Sequence, residues 1–306
     1  MIHFLKLIRY QNLLMLAFMQ FIFRYGFLKF QSIPLALSDI QYILLVLSTV
    51  SIAAAGYIIN NIYDQETDTD NKPDNVIVNV TISENKAYNY YIVLNSIGVG
   101  IGFYLSNVIF KPSFASLFIL IAFTLYLYAS NLKKSLILGN LLIALLLSIS
   151  VILIGIFDLL AVTNSENKAL MGILFRIILD YALFTFVLNF IREIVKDLED
   201  VRGDYNQGMK TLPIVLGVKR TTKIVFAMSC ISVIGISYYI TTYLFSNNLI
   251  ISTLYCIVFI VSPLIYFTIK IWEAKASNHF KHLSTVLKWI LFFGILSILV
   301  INLNLK

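Results

Sequence analysis

Histidine and cysteine are scarce in this 306-residue chain, at three and two residues, and charged side chains make up only 13%. His3, His279 and His282 have no ligand-like neighbours, which argues against a zinc centre. Cys230 and Cys256 fall inside long apolar runs and read as small packing residues, so a disulfide framework is excluded. The ten-residue alternation of polar and apolar side chains that marks an outer-membrane barrel is missing. A small-residue cleavage signal near the N-terminus is missing too, so the first apolar segment is expected to be retained. What the chain has in abundance is apolar surface. A soluble domain cannot hide a composition that is 59% hydrophobic.

Apolar runs of about 20 residues mark nine spans, at roughly 10–30, 36–63, 87–109, 112–131, 135–157, 169–196, 222–244, 249–271 and 285–303. The expected fold is all-α, a polytopic membrane helix bundle of about nine transmembrane helices forming a single domain over residues 1–306. The first span is the weakest because Arg24 interrupts it. A net charge of +7 invites a nucleic-acid partner, but its distribution points elsewhere. Seventeen of the 23 lysines and arginines fall at the N-terminus and in the even-numbered loops. That is the positive-inside asymmetry, so these segments are expected in the cytoplasm, with membrane lipid and no nucleic acid as the surroundings.

Eleven of the sixteen acidic residues sit in two short stretches. The first holds Asp64, Glu66, Asp68, Asp70, Asp74 and Glu84, and the second Glu193, Asp197, Glu199, Asp200 and Asp204. Each begins where an apolar segment ends, in the two long connections expected at about 64–86 and 197–221. Ionised groups beside hydrocarbon are costly, so this concentration marks a functional site. If the helix after Gly56 continues to about residue 68, Asn60, Asp64 and Asp68 line one face at four-residue spacing. Bare carboxylates there repel, and a shared cation reverses the sign of that interaction. Oxygen-only ligands favour magnesium. A calcium loop is excluded, because Thr69 replaces the required glycine and Asn75 the bidentate glutamate. In the second stretch Asp200 and Asp204 are four apart, interleaved with Arg192 and Lys196. The bland readings are a solvated acidic connector for the first stretch and weak intrahelical salt bridges for the second. Gly203 and Gly208 weaken the latter, since they cost helix stability and permit close backbone approach to a ligand.

These residues resemble the UbiA superfamily of intramembrane prenyltransferases. Asn60-Asn61-Ile-Tyr-Asp64-Gln-Glu-Thr-Asp68 is similar to its first signature, and Asp200-Val-Arg-Gly-Asp204 to its second. Arg9-Tyr-Gln-Asn12 resembles its N-terminal Arg-x-x-Asn, and Tyr128 with Lys133, Lys134, Gly139 and Asn140 its fourth-to-fifth helix connection. The run from Arg192 to Asp204, followed by Gly208 and Lys210-Thr-Leu-Pro-Ile, is most similar to the digeranylgeranylglyceryl phosphate synthase branch. Two departures stand out. Asn61 replaces the usual aspartate, and the second of two Arg-Pro-like pairs reads Asn75-Val76 after Lys72-Pro73. For Asn61 a weaker role behind the metal ligands is expected.

The resemblance implies magnesium-dependent prenyl transfer from an allylic diphosphate, geranylgeranyl diphosphate by branch, to a membrane acceptor at the cytoplasmic face. It assigns Asp64, Asp68, Asp200 and Asp204 to the metal, with Asn60 beside them. Lys72, Lys133, Lys196 and Lys210 are the candidates for phosphate, and Arg9, Asn12, Arg192 and Tyr128 for further substrate contacts. Rings of Tyr57, Tyr63 and Tyr128 lie near enough in sequence to face an allylic cation. The lipid acceptor of that branch is geranylgeranylglyceryl phosphate, and an aromatic quinone precursor is the alternative acceptor. An ion-coupled transporter or lipid carrier is the alternative of another class. Transporters place such charges near the midplane on broken helices, whereas these acids stand at helix ends.

Overall fold

A computed structural model describes residues 2–71 and 76–304 of the chain. In membrane, every backbone N–H and C=O must be satisfied internally, which leaves long helices as the solution for runs this apolar. Among the described residues nine helices are long and apolar enough to cross a bilayer. The chain begins with a short helix α1 (Ile2–Leu7) and the first spanning helix α2 (Tyr10–Gln31). Next come α3 (Asp39–Tyr63), a short α4 (Gln65–Asn71), α5 (Glu84–Val108), α6 (Pro112–Ser130) and α7 (Leu138–Val162). The chain then runs through α8 (Lys168–Asn206), a short α9 (Leu212–Leu216), α10 (Val218–Asn247), α11 (Ile250–Glu273) and α12 (Ser277–Asn304).

Local chemistry sets the helix ends. A capping box opens α3: the Ser38 hydroxyl accepts the Gln41 N–H at 3.3 Å, and the Gln41 side chain accepts the Ser38 N–H at 2.8 Å. The helix α8 does not stop at its apolar boundary near residue 196. It continues through the second acidic stretch to Asn206, so the first ten residues of the expected loop at 197–221 are helix. Residues 197–206 contain no proline, and at about 1.5 Å per residue the 39 residues of α8 far exceed a bilayer core of about 30 Å. The end comes at Gly208, whose φ of +66° suits glycine. There Gly208 N–H donates to the Tyr205 carbonyl and Met209 N–H to the Asp204 carbonyl, a Schellman closure. Gly208 thus ends the helix.

Two apolar cores are joined by α8. One lies among α2, α3 and α5–α8, with Phe23, Phe118 and Phe157 at its centre, and the other among α8 and α10–α12 around Leu188, Phe267 and Leu287. A third, smaller cluster of Leu7, Ile58, Ile62, Ile77 and Val78 seats the connection after α4 against α1 and α3. Small residues set the closest approaches, since association within a bilayer relies on packing rather than hydrophobic exclusion. Gly56 of α3 faces Leu125 of α6, and Gly98 of α5 meets α3. The Ser48 hydroxyl donates to the Gly98 carbonyl at 2.6 Å, and a Cβ at position 98 would lie 2.9 Å from the Ser48 carbonyl oxygen. Because that neighbour is backbone, Gly98→Ala is expected to cost about 1–3 kcal/mol, read as a lower unfolding midpoint in detergent. An unchanged midpoint would mean that α3 and α5 shift freely.

Arg24, expected to weaken the first span, is 2% exposed and bonds to the carboxylate of Asp158, itself fully buried near the end of α7. Its guanidinium also lies 4.4 Å from the Tyr42 ring centroid, and Asp158 accepts the Leu37 N–H at 3.3 Å. The charge that looked like an interruption is a tie between α2, α7 and the turn into α3.

Candidate active site

Both acidic stretches come to the same end of the bundle. The short helix α4 packs against α8, and the Lys210 N–H donates to the Lys134 carbonyl at 3.1 Å, joining the segment after α8 to the α6–α7 connection. Gly139 allows that connection to turn tightly, since a Cβ there would lie 2.9 Å from the Lys133 Cα.

The first half-site is built at a break in the chain. The helix α3 ends at Tyr63, Asp64 follows with φ −96° and ψ 5°, and α4 resumes at Gln65. The expected uninterrupted helix to residue 68 is therefore hinged at Asp64, although Asp68 N–H still donates to the Asp64 carbonyl at 2.8 Å. One Asp64 carboxylate oxygen accepts the Asn60 amide at 2.5 Å and the other is paired with the Lys133 ammonium. Burial, with the neighbouring charge of Lys134, pushes the Lys133 ammonium down to about 8, against the opposing pull of Asp204. The Asn60 side-chain oxygen is buried without a hydrogen-bond partner.

The second half-site lies along α8. Asp204 is buried, Asp200 is half-buried one turn earlier, and Asp197 accepts the Asn140 amide at 2.7 Å. A cavity of about 240 Å³ runs into the bundle, reached by Asn60 from the first half-site and by Glu193 and Lys196 on α8. Arg9, Asn12, Asn60, Tyr128, Arg192 and Lys196 line its polar end, and Phe23, Phe118, Leu147 and Val151 its apolar depth. The Arg9 backbone is in the left-handed region at φ 49°, an unusual state for a side-chain-bearing residue, and its guanidinium sits 5.4 Å from the Tyr57 ring centroid.

Most expected residues thus converge, with three differences. Asn61 is engaged in packing: its amide donates to the carbonyls of Leu7 at 3.3 Å and Tyr57 at 2.8 Å, pinning α1 to α3. An aspartate could not make those donations, which accounts for asparagine here. Tyr63 is exposed and pairs with Tyr126 at 3.5 Å, away from the cavity that Tyr57 and Tyr128 line. Lys72, with Pro73, Asp74 and Asn75, lies outside the described residues. Lys210 is exposed at the same end of the bundle.

Sequence reasoning assigned no role to Glu193, which is buried on the cavity wall and accepts Lys196 at 2.5 Å, or to Lys288, which lines the same cavity from α12. The available signal for Lys288 was a lone cation inside the apolar run Val286-Leu-Lys-Trp-Ile.

The donor set suits a hard divalent cation. Its groups are carboxylate and amide oxygens, and the Asn60 oxygen is an unspent buried acceptor next to Asp64. Among the described residues no three His, Cys, Asp or Glu side chains already converge on one point. Magnesium is commonly held by one or two carboxylates plus substrate phosphates rather than by a closed protein cage.

Comparison with known proteins follows the same lines. The digeranylgeranylglyceryl phosphate synthase of Korarchaeum cryptofilum is 34% identical over 198 residues, covering 64% of this chain and 63% of the relative. That of Sulfurisphaera tokodaii is 32% identical over 211 residues, 69% of each chain. The match thus spans less than two thirds of the Korarchaeum protein's length. Among solved structures, one of a digeranylgeranylglyceryl phosphate synthase superposes with a TM-score of 0.64 at 23% identity, covering 98% of this chain and 97% of that one. A UbiA homolog from Archaeoglobus fulgidus bound to GPP and Mg2+ gives 0.59 at 19% identity, covering 97% and 99%. The model of the UbiA prenyltransferase family matches residues 27–298, taking in seven of the spanning helices whole, parts of the first and the last, and both acidic motifs. With that match across the membrane bundle and its two carboxylate half-sites, the chain belongs to the UbiA prenyltransferase family.

Proposed function

We propose that this chain transfers a geranylgeranyl group from its diphosphate to geranylgeranylglyceryl phosphate, forming an ether lipid, with the site opening to the cytoplasm. The observation that carries this reading is the packing of α4 against α8, which joins the two carboxylate segments, together with a cavity that has a cationic end, lined by Asn60 and Lys196, and an apolar depth. The relatives named as digeranylgeranylglyceryl phosphate synthases support the acceptor, and the excess of lysine and arginine on this side supports the orientation.

In this mechanism Asp64 and Asp68 on one side and Asp200 and Asp204 on the other would hold magnesium. Bound there, magnesium would supply Lewis-acid neutralisation of the departing diphosphate. The Asn60 amide orients Asp64 for that task, and Lys133 stands ready to move from Asp64 to a phosphate oxygen. Lys196, on the cavity wall, and Lys210, at its end of the bundle, add positive charge for the same anion. The C–O bond to diphosphate breaks with its electron pair leaving on oxygen, and the glycerol hydroxyl oxygen then bonds to the allylic carbon as its proton is released. The rings of Tyr57 and Tyr128 face the cavity where positive charge develops. Phe118, Leu147 and Val151 exclude water from the chain behind it.

Mass spectrometry of products tests the assignment. Purified protein is given geranylgeranyl diphosphate and magnesium, with geranylgeranylglyceryl phosphate and a hydroxynaphthoate as competing acceptors. A diether that disappears with EDTA is the expected product. A prenylated aromatic would move the chain to quinone-type chemistry, and intact diphosphate in every reaction would refute the proposal.

A further inference from the structure

The polar end of the cavity carries more positive charge than the transfer chemistry itself needs. Four cations line it, Arg9, Arg192, Lys196 and Lys288, against the single carboxylate of Glu193. Glu193 is already engaged: it accepts Lys196 at 2.5 Å and lies 3.9 Å from Arg192. Among the described residues neither Arg9 nor Lys288 has a carboxylate partner. Their contacts are neutral: Arg9 lies over the Tyr57 ring, and Lys288 donates to the Asn12 side-chain oxygen at 3.3 Å. The set spans three helices, with Arg9 at the start of α2, Arg192 and Lys196 on α8 and Lys288 on α12. Asn12 is one turn beyond Arg9 on α2, and Arg192 of α8 donates to the Ser284 carbonyl of α12, one turn before Lys288. Two unbalanced cations facing an enclosed, half-apolar space are costly unless the ligand brings matching negative charge.

We infer that Arg9 and Lys288 form a subsite for the dianionic phosphate monoester of the acceptor, and that Lys288 makes the enzyme prefer a phosphate over a carboxylate acceptor. The inference rests on the proposed lipid acceptor and extends it to the residues that select it. A phosphate monoester carries close to two negative charges at neutral pH, one for each unbalanced cation. A carboxylate carries one and would leave a cation uncompensated. The subsite is distinct from the magnesium half-sites in its donors, which are cationic nitrogens, so it works without metal.

Binding in EDTA therefore separates the two. The full-length protein in detergent is titrated with geranylgeranylglyceryl phosphate and, separately, with the phosphate-free geranylgeranylglycerol, and occupancy is followed by thermal stabilisation. The phosphate lipid is expected to bind without magnesium about a hundredfold more tightly than the alcohol, as two charge-assisted contacts allow. Lys288→Gln and Arg9→Gln should each weaken the phosphate lipid by about tenfold, leave the alcohol unaffected, and leave the KM for geranylgeranyl diphosphate unchanged. Lys288→Arg should restore most of the affinity, which a folding defect would not allow. A rise in KM for the diphosphate donor instead would assign these cations to the donor and overturn the inference. So would equal binding of phosphate and alcohol. If the wild type makes the diether while Lys288→Gln binds acceptor normally, the inference fails and the proposed function stands. If the wild type prenylates only the aromatic carboxylate, both fail.

Discussion

Asp64→Asn is expected to lower turnover by about a thousandfold, a loss of about 4 kcal/mol in transition-state stabilisation, while leaving the protein folded. The size of the effect follows from where Asp64 stands. It sits at the hinge between α3 and α4, with one oxygen fixed by Asn60 and the other on Lys133, so the carboxylate is pre-oriented before any ligand arrives. Asparagine keeps the volume and one oxygen but removes the charge that a departing diphosphate and its cation require. Raising magnesium should not rescue the variant, because the missing element is the ligand's negative charge rather than occupancy alone. Folding should survive, since the residue is near the surface of the bundle and its partner Lys133, already depressed to about 8 by burial, tolerates loss of its counter-ion. Single-turnover rates with and without excess magnesium check this. A variant within about tenfold of wild type would remove Asp64 from the metal site.

The second large effect is on stability and lies at the opposite end of the bundle. Asp158→Ala should destabilise the protein by about 3–5 kcal/mol, because it removes the fully buried counter-ion of Arg24 and leaves that guanidinium only the exposed carboxylate of Asp39 at 3.6 Å. The same change removes the acceptor for the Leu37 N–H and loosens the turn into α3. Unfolding midpoints in detergent give the measurement. The double variant Arg24→Met with Asp158→Leu should recover most of the loss, since removing both charges leaves nothing uncompensated in the core. Equal damage in the single and double variants would show that the pair's hydrogen bonds, rather than stranded charge, carry the effect.

How far these features were legible in the sequence depends on the range of the interaction. The nine spans follow from local apolar runs, and their positions needed no knowledge of neighbours. Their ends did. The apolar run of α8 stops near residue 196, yet the helix continues to Asn206, because charged residues at helical spacing extend a helix beyond the bilayer as readily as they make a loop. Similarly α12 begins at Ser277, ahead of the expected 285. The carboxylate motifs were visible because their spacing is periodic along one chain segment. The Asn61–Leu7 contact was not, nor was Arg24–Asp158, which joins residues 134 positions apart. Lys288 gave only the signal of a charge in the wrong solvent, and its partner Asn12 is 276 positions away. Sequence periodicity reports which face a residue takes, while the identity of the partner waits on the packing of the bundle.

The most direct test of the two-half-site account uses Mn2+ in place of magnesium, followed by electron paramagnetic resonance. Purified protein is examined with and without the unreactive thiolo analogue of geranylgeranyl diphosphate. The account predicts that protein-bound Mn2+ rises strongly when the analogue is added, because diphosphate oxygens complete what separate carboxylate pairs begin. It also predicts that Asp64→Ala and Asp200→Ala each abolish that rise. Tight Mn2+ binding that persists in the Asp64→Ala, Asp200→Ala double variant with the analogue present would contradict it, and would place the metal elsewhere in the molecule.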